Sequence, residues 1–201
     1  MNLTQYKALF ILVIAILALL VASPALQRVL VYPQTEFFTE LSLLGPAHTA
    51  ENYPYNITQT GNYSVFLGIT NQLGSAAYYQ VEVKFRNETQ SAPDTFNRTA
   101  SSLPSLYNLN VVDANKESLE IPVTFAIDYT VNSNIMQVNY DSLIFNGLTL
   151  NLAGTTSVWN SQTNQFYGNL IFELWIYNST TSNFQYNERF VDLKLNMTST
   201  I

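Results

Sequence analysis

Apolar and polar positions alternate along most of this chain. Beyond residue 32 helix-period patterns are scarce, whereas period-two alternation recurs, the mark of strands with one buried and one wet face. The clearest run is YQVEVKFRN, where Tyr79, Val81, Val83 and Phe85 share one face and Gln80, Glu82, Lys84 and Arg86 the opposite, wet one. SLEIPVTFAIDY repeats the arrangement from Leu119 to Tyr129; Pro122 cannot donate to a ladder, which places it at an edge or a bulge. NYSVFLGIT and FVDLKLNMT read the same way. In NLIFELWIY, residues 169–177, both phases are apolar except for Glu173, which predicts a central strand covered on both sides or one whose outer face meets a partner. With TEFFTELSLLG and LIFNGLTLNLAG the set reaches about seven to nine strands, and their regular spacing predicts an all-β fold, an immunoglobulin-like antiparallel β-sandwich.

Two stretches break the alternation. From Ala8 to Ala22 the chain is uninterruptedly apolar, and SPAL extends the run to Leu26. At 1.5 Å per residue this covers about 28 Å, close to a hydrocarbon core. The predicted layout is a short cytoplasmic N-terminus (1–7), a transmembrane signal anchor (8–26), a linker (27–34) and an extracellular β-sandwich domain (35–201). The rival is a cleaved signal peptide, for which Ser23–Ala25 supplies small residues. A type IV pilin leader would need a glycine next to Lys7, and there is none. The second break, about 87–118, is rich in Ser, Asn and Pro and reads as a loop insertion between two strands, a candidate interaction surface or a mobile excursion carrying sugars.

Composition narrows the function classes. Of 201 residues only 11% are charged, and all 14 acidic residues lie from Glu36 onward and seven of the eight basic ones from Arg28 onward, so the outer region is net acidic. That excludes nucleic acid as a partner and a polybasic lipid patch. With no cysteine, disulfides and thiolate metal sites are excluded, and the core alone must hold the fold.

His48 is the sole histidine, in LGPAHTAEN, and reads as a surface loop residue; no nucleophile elbow, zinc-protease pair or phosphate loop occurs. Glu120, Asp128, Asp141 and Glu173 could pair as in a glycosidase, but most occupy the polar phase of strands. The expectation is no enzyme, no metal and no cofactor.

Asn-x-Ser/Thr triplets begin at Asn2, Asn56, Asn62, Asn87, Asn97, Asn178 and Asn196, where 22 Asn with 36 Ser and Thr would give roughly four by chance. Asn2 lies across the proposed span, so the expected N-linked glycan sites are the other six. Most aromatic residues lie in phase with the buried faces; Trp159 and Trp175 depart from it. Together with Tyr177, and with Tyr53 and Tyr55 in the loop AENYPYNIT, they are the candidate partner contacts.

The succession TEFFTELSLLGP, AENYPYNIT, GNYSVFLGITNQ, YYQVEVKF, PVTFAIDY and LWIYN resembles the largely archaeal membrane-protein family called domain of unknown function 1616. The match is closest from Thr35 to Phe85, through Gly45, Pro46, Tyr53, Pro54, Asn56, Thr58, Gly68 and Asn71. The resemblance implies a membrane-anchored protein with an extracytoplasmic β-sandwich, and brings no activity, cofactor or catalytic residue. The expected function is a non-catalytic, single-pass, N-glycosylated cell-envelope protein that contacts other envelope or membrane proteins. The alternatives are an accessory single-span subunit of an integral membrane complex and a secreted filament subunit using strand complementation.

Overall fold

The computed structural model describes residues 3–30, 37–59 and 61–198. Two compact units divide near Phe37. The first contains helix α1, Leu3–Leu30, longer at both ends than the apolar run. Residues 27–30, expected in a linker, continue the helix; the rest of that linker and the first residues of the expected sandwich lie outside the described residues. Among the described residues no helix is long and apolar enough to cross a membrane. The described side chains of α1 run unbroken only from Leu9 to Ser23, roughly 22 Å of helix against a hydrocarbon core of about 30 Å.

The second unit is a two-sheet β-sandwich. Its strands are β1 (Phe38–Leu44), β2 (Asn56–Ile57), β3 (Tyr63–Gln72), β4 (Ala77–Arg86), β5 (Tyr107–Asp113), β6 (Ser118–Asn132), β7 (Gln137–Phe145), β8 (Leu148–Val158), β9 (Tyr167–Asn178) and β10 (Asn183–Met197). Sheet A runs β1-β3-β6-β7-β8 and sheet B runs β2-β10-β9-β4-β5. Every pairing is antiparallel except that of β2 with β10, which is parallel.

The alternation decides which residues meet between the sheets. Val65, Leu67 and Ile69 of β3, Val123, Phe125 and Ile127 of β6, and Tyr79, Val81 and Val83 of β4 are all buried in one cluster, the in-phase sets read from the sequence. Buried hydroxyls find partners there: Tyr140 donates to the Tyr167 carbonyl at 2.8 Å, and Tyr79 and Thr39 share a bond of 2.8 Å. Pro122 pairs with Phe66 of β3, while the ladder to β7 begins only at Phe125, so the missing N–H costs nothing on that side. Gly45 closes β1 into a turn in which a Cβ would lie 2.0 Å from the Glu51 carbonyl oxygen, so only glycine fits.

The expected loop insertion stops short. Residues 107–113 form β5, because Tyr107, Leu109 and Val111 alternate with Asn108 and Asn110 and extend sheet B beyond β4. The excursion is therefore 87–106, which we call the strap.

Candidate functional site

The strands of sheet B place their outward residues in straight cross-strand rows, because paired residues on adjacent strands point to the same face. One row runs Val112, Tyr78, Tyr177 and Phe184 across β5, β4, β9 and β10. Its three rings touch: Tyr78 and Phe184 centroids lie 5.1 Å apart, Tyr177 and Phe184 5.5 Å, Tyr78 and Tyr177 6.0 Å. Val112 is 70% exposed, Tyr177 39% and Tyr78 38%, so the row is open to solvent. The next row inward carries Asn110, Gln80, Trp175 and Tyr186, with Gln80 donating to Asn110 at 3.1 Å and Trp175 packed on Tyr186 at 5.6 Å. Burial, and then the nearby Glu173 and Glu188 carboxylates, push the Tyr186 hydroxyl up to about 12, which keeps it a neutral donor at physiological pH. This aromatic face is the candidate site.

Beyond those rows the same face is closed over β4 and β9. The strap lies over it, and Glu173 and Lys84, expected in a wet phase, are fully and almost fully buried. Lys84 Nζ donates to Glu173 Oε2 at 2.7 Å and to the Ser101 carbonyl at 3.0 Å and lies 3.0 Å from Glu82 Oε2 as an ion pair, while the Ser101 N–H donates to Glu173 Oε1 at 2.6 Å. The ammonium thus has two hydrogen bonds and a second carboxylate beside it, and both Glu173 oxygens accept, which is what a charge pair removed from water requires. At its edges the strap is held by Asn87, whose amide donates to the Thr156 carbonyl at 2.7 Å, and by the exposed Arg98–Glu188 pair at 3.1 Å. Asp94 and Thr99 bond each other's backbones in both directions, at 2.9 and 3.1 Å, to close the strap's tip. β9 therefore reads as apolar in both phases for two reasons at once: its first half is roofed by the strap, and its second half is the bare aromatic face.

The other predicted contacts lie elsewhere. Tyr53 and Tyr55 are partly exposed and pinned by their hydroxyls, Tyr53 to the Leu43 carbonyl at 2.6 Å and Tyr55 to the Gln165 side chain. They line a cleft of about 600 Å³ with Leu43, Pro54 and residues 190–194 of β10. Trp159 packs edge-on against Phe166 at 5.0 Å and borders the core. Thus Trp175 and Tyr177 come together, and Tyr53, Tyr55 and Trp159 do not join them.

The sequons differ in what their side chains already do. Asn62 is exposed and makes no side-chain bond among the described residues, and Asn97 is exposed but bonded to Asp94 at 2.5 Å. Asn87 donates into β8 and accepts from Thr89 and Gln90. Asn178 bonds Gln185 at 3.1 Å, and Asn196 donates to Asn56 at 3.0 Å while accepting from the Phe166 N–H. His48 is exposed, stacks on Phe66 at 3.8 Å and bonds Glu120 at 2.6 Å.

The model of a family described as domain of unknown function (DUF1616) matches residues 33–164, well over half of the 201. The chain belongs to this family. The DUF1616 match takes in β1 to β8, hence Tyr78 and Val112, whereas Trp175, Tyr177, Phe184 and Tyr186 lie beyond it. No curated protein matches the chain. Solved structures similar to it include a β-glucosidase from Listeria innocua in complex with glucose, at 10% identity and a TM-score of 0.32, over 82% of this chain and 17% of that one. The same enzyme in complex with isofagomine gives 9% identity and a TM-score of 0.32, over 83% and 17%. This DUF1616 chain thus spans about a sixth of that protein, and a likeness of this size carries no argument about activity.

Proposed function

We propose that this protein is a non-catalytic, single-pass, N-glycosylated cell-envelope protein whose sandwich binds another envelope or membrane protein through the aromatic face of sheet B. The observation that carries the reading is the bare row Val112, Tyr78, Tyr177 and Phe184 on a sheet face whose central strands the strap otherwise covers. Exposed clusters of tyrosine and phenylalanine are what protein interfaces use as anchors. The ring planes are inclined at 53°, 58° and 70° to one another, so they offer no common plane on which successive sugar rings could lie, and a protein surface suits them better. A non-catalytic role is supported by the enclosure of Glu173 beneath the strap and the use of both its oxygens.

For anchoring, the support is the sequence run Ala8–Leu26 within a helix of 28 residues, roughly 42 Å long, whose described side chains from Leu9 to Ser23 carry no charge. With that anchor the sandwich stands outside the cell membrane. An immunoglobulin-like sandwich is supported by the order β10-β9-β4-β5, which follows the G-F-C-C′ order of variable-type domains. The accessory-subunit alternative uses the same aromatic face and differs only in the partner. For the filament alternative the core speaks against a vacant strand position, since Leu67, Leu193 and Leu195 are already buried.

The test is cross-linking and affinity capture of the full chain from native membranes, with Tyr78→Ser/Tyr177→Ser alongside. Wild type should retain a specific protein that the variant loses at an unchanged melting temperature. Equal capture by both, or no partner for either, would sink the proposal.

A further inference from the structure

We propose that the free edge of β10 pairs with the β10 edge of a second copy of this chain. Sheet B ends at β10 over most of its length, because β2 covers only Asn196 and Met197. The Asn196 N–H donates to the Tyr55 carbonyl and the Thr198 N–H to the Ile57 carbonyl, so the N–H and C=O groups of even-numbered residues point off the sheet here. The alternation carries back to Lys194 and Asp192, whose outward groups pair with no described strand. They open into the cleft of about 600 Å³ walled by Leu43, Tyr53, Pro54 and Tyr55. An unpaired row of this kind is a template for strand addition.

The occupant is indicated by charge. Asp192 and Lys194 are exposed, two residues apart on one face, with the buried Leu193 between them. Under a two-fold axis through Leu193, antiparallel pairing sets Asp192 opposite the partner's Lys194 and Lys194 opposite the partner's Asp192. Both pairs fall at hydrogen-bonded positions, so four backbone bonds form together with two opposite-charge pairs. A lone charge on an edge resists strand addition, but this arrangement is self-complementary, as a two-fold interface must be. The edge at β8 offers less: Asn151 and Thr155 pair with Ser142 and Tyr140, so three residues bulge between them, with Gly154 at φ +93, and the edge is cut into two short runs.

The test is a charge-swap series on the full chain, read by native mass spectrometry from detergent and by cross-linking in vesicles. Asp192→Lys sets lysine against lysine and Lys194→Asp sets aspartate against aspartate, so each single change should weaken the dimer roughly tenfold or more. Asp192→Lys/Lys194→Asp should restore it. Asp192 also accepts from Asn169 at 2.8 Å, and Asn169 lies opposite residue 194, so the series is repeated on Asn169→Ala, where rescue reports pairing between copies rather than repair within one. Because the chain has no cysteine, Asp192→Cys/Lys194→Cys should give a disulfide-linked dimer on oxidation. A monomeric wild type, equal dimer in all charge variants, or a double variant no better than the singles would overturn the proposal.

Discussion

Replacing Glu173 by leucine exposes what the buried charges cost and what they hold. Lys84 would keep Glu82 and the Ser101 carbonyl but lose its 2.7 Å partner, and the Ser101 N–H would lose its only side-chain acceptor. Removing one member of a buried pair costs about 3–5 kcal/mol, because an uncompensated charge stays out of water. Glu82 remains at 3.0 Å and its side chain keeps 18% exposure, which puts the expected loss near the lower figure, about 3 kcal/mol. For a domain of this size that is a fall of roughly 6–12 °C in melting temperature. Lys84→Met/Glu173→Leu removes both charges and should recover at least about 1 kcal/mol relative to the single change. The assay is thermal unfolding of the detergent-solubilised full chain followed by near-ultraviolet circular dichroism, with limited proteolysis of the strap in parallel. The reasoning fails if Glu173→Leu melts within a degree of wild type, or if the double variant is less stable than the single.

Three further outcomes follow from the same contacts. Burial, then the Glu117 carboxylate, raises the Asp113 carboxyl above its ordinary 3.8; the folded chain therefore binds more protons just above that pH, and stability falls as pH rises through the window. Asp113→Asn should flatten that fall in urea unfolding compared at pH 4 and pH 7, and an unchanged difference would count against it. The Tyr129 hydroxyl sits 2.7 Å from the Ile57 carbonyl and 2.6 Å from that of Thr198, tying sheet A to the β2–β10 corner, so Tyr129→Phe should cost about 1–2 kcal/mol in urea titration, with no loss meaning that water replaces the hydroxyl. If glycans are added to the folded chain, Asn62→Gln should lower the intact mass by one glycan while Asn87→Gln and Asn196→Gln leave it unchanged; the reverse pattern would show that modification precedes folding.

Much of the sandwich was legible because its cause is local. A period of two in β3, β4, β6 and β10 places the same residues in the core that the alternation selects, and no long-range information is needed for that. What the pattern missed depends on which segment covers which. Lys84 and Glu173 look solvated along their own strands, and only the return of Ser101 from 17 residues beyond Lys84 takes them out of water. β5 falls inside the expected loop since two of its three outward positions are asparagines and its inward ones, moderate apolar residues, end in Asp113, a weak signal beside Ser- and Pro-rich neighbours. At the candidate site Trp175 and Tyr177 were visible as aromatics out of phase. Tyr78 carried the same signal, a ring in the phase of Gln80, but Phe184 and Tyr186 lie ahead of FVDLKLNMT, the run that marks β10, and in the phase opposite to its Val191, Leu193 and Leu195.

The strap's closed tip bears on how this protein can be handled. Its Asp94–Thr99 backbone pair is complete without help from the sheet, and Phe96 beyond it is 92% exposed. Chain inserted between Phe96 and Asn97 would leave Asn87, Ser101 and Lys84 in their places, and exposed loop tips of this kind tolerate insertion. An epitope or fluorescent peptide grafted there would report on the intact molecule in its native surroundings, leaving the aromatic row and the β10 edge unaltered.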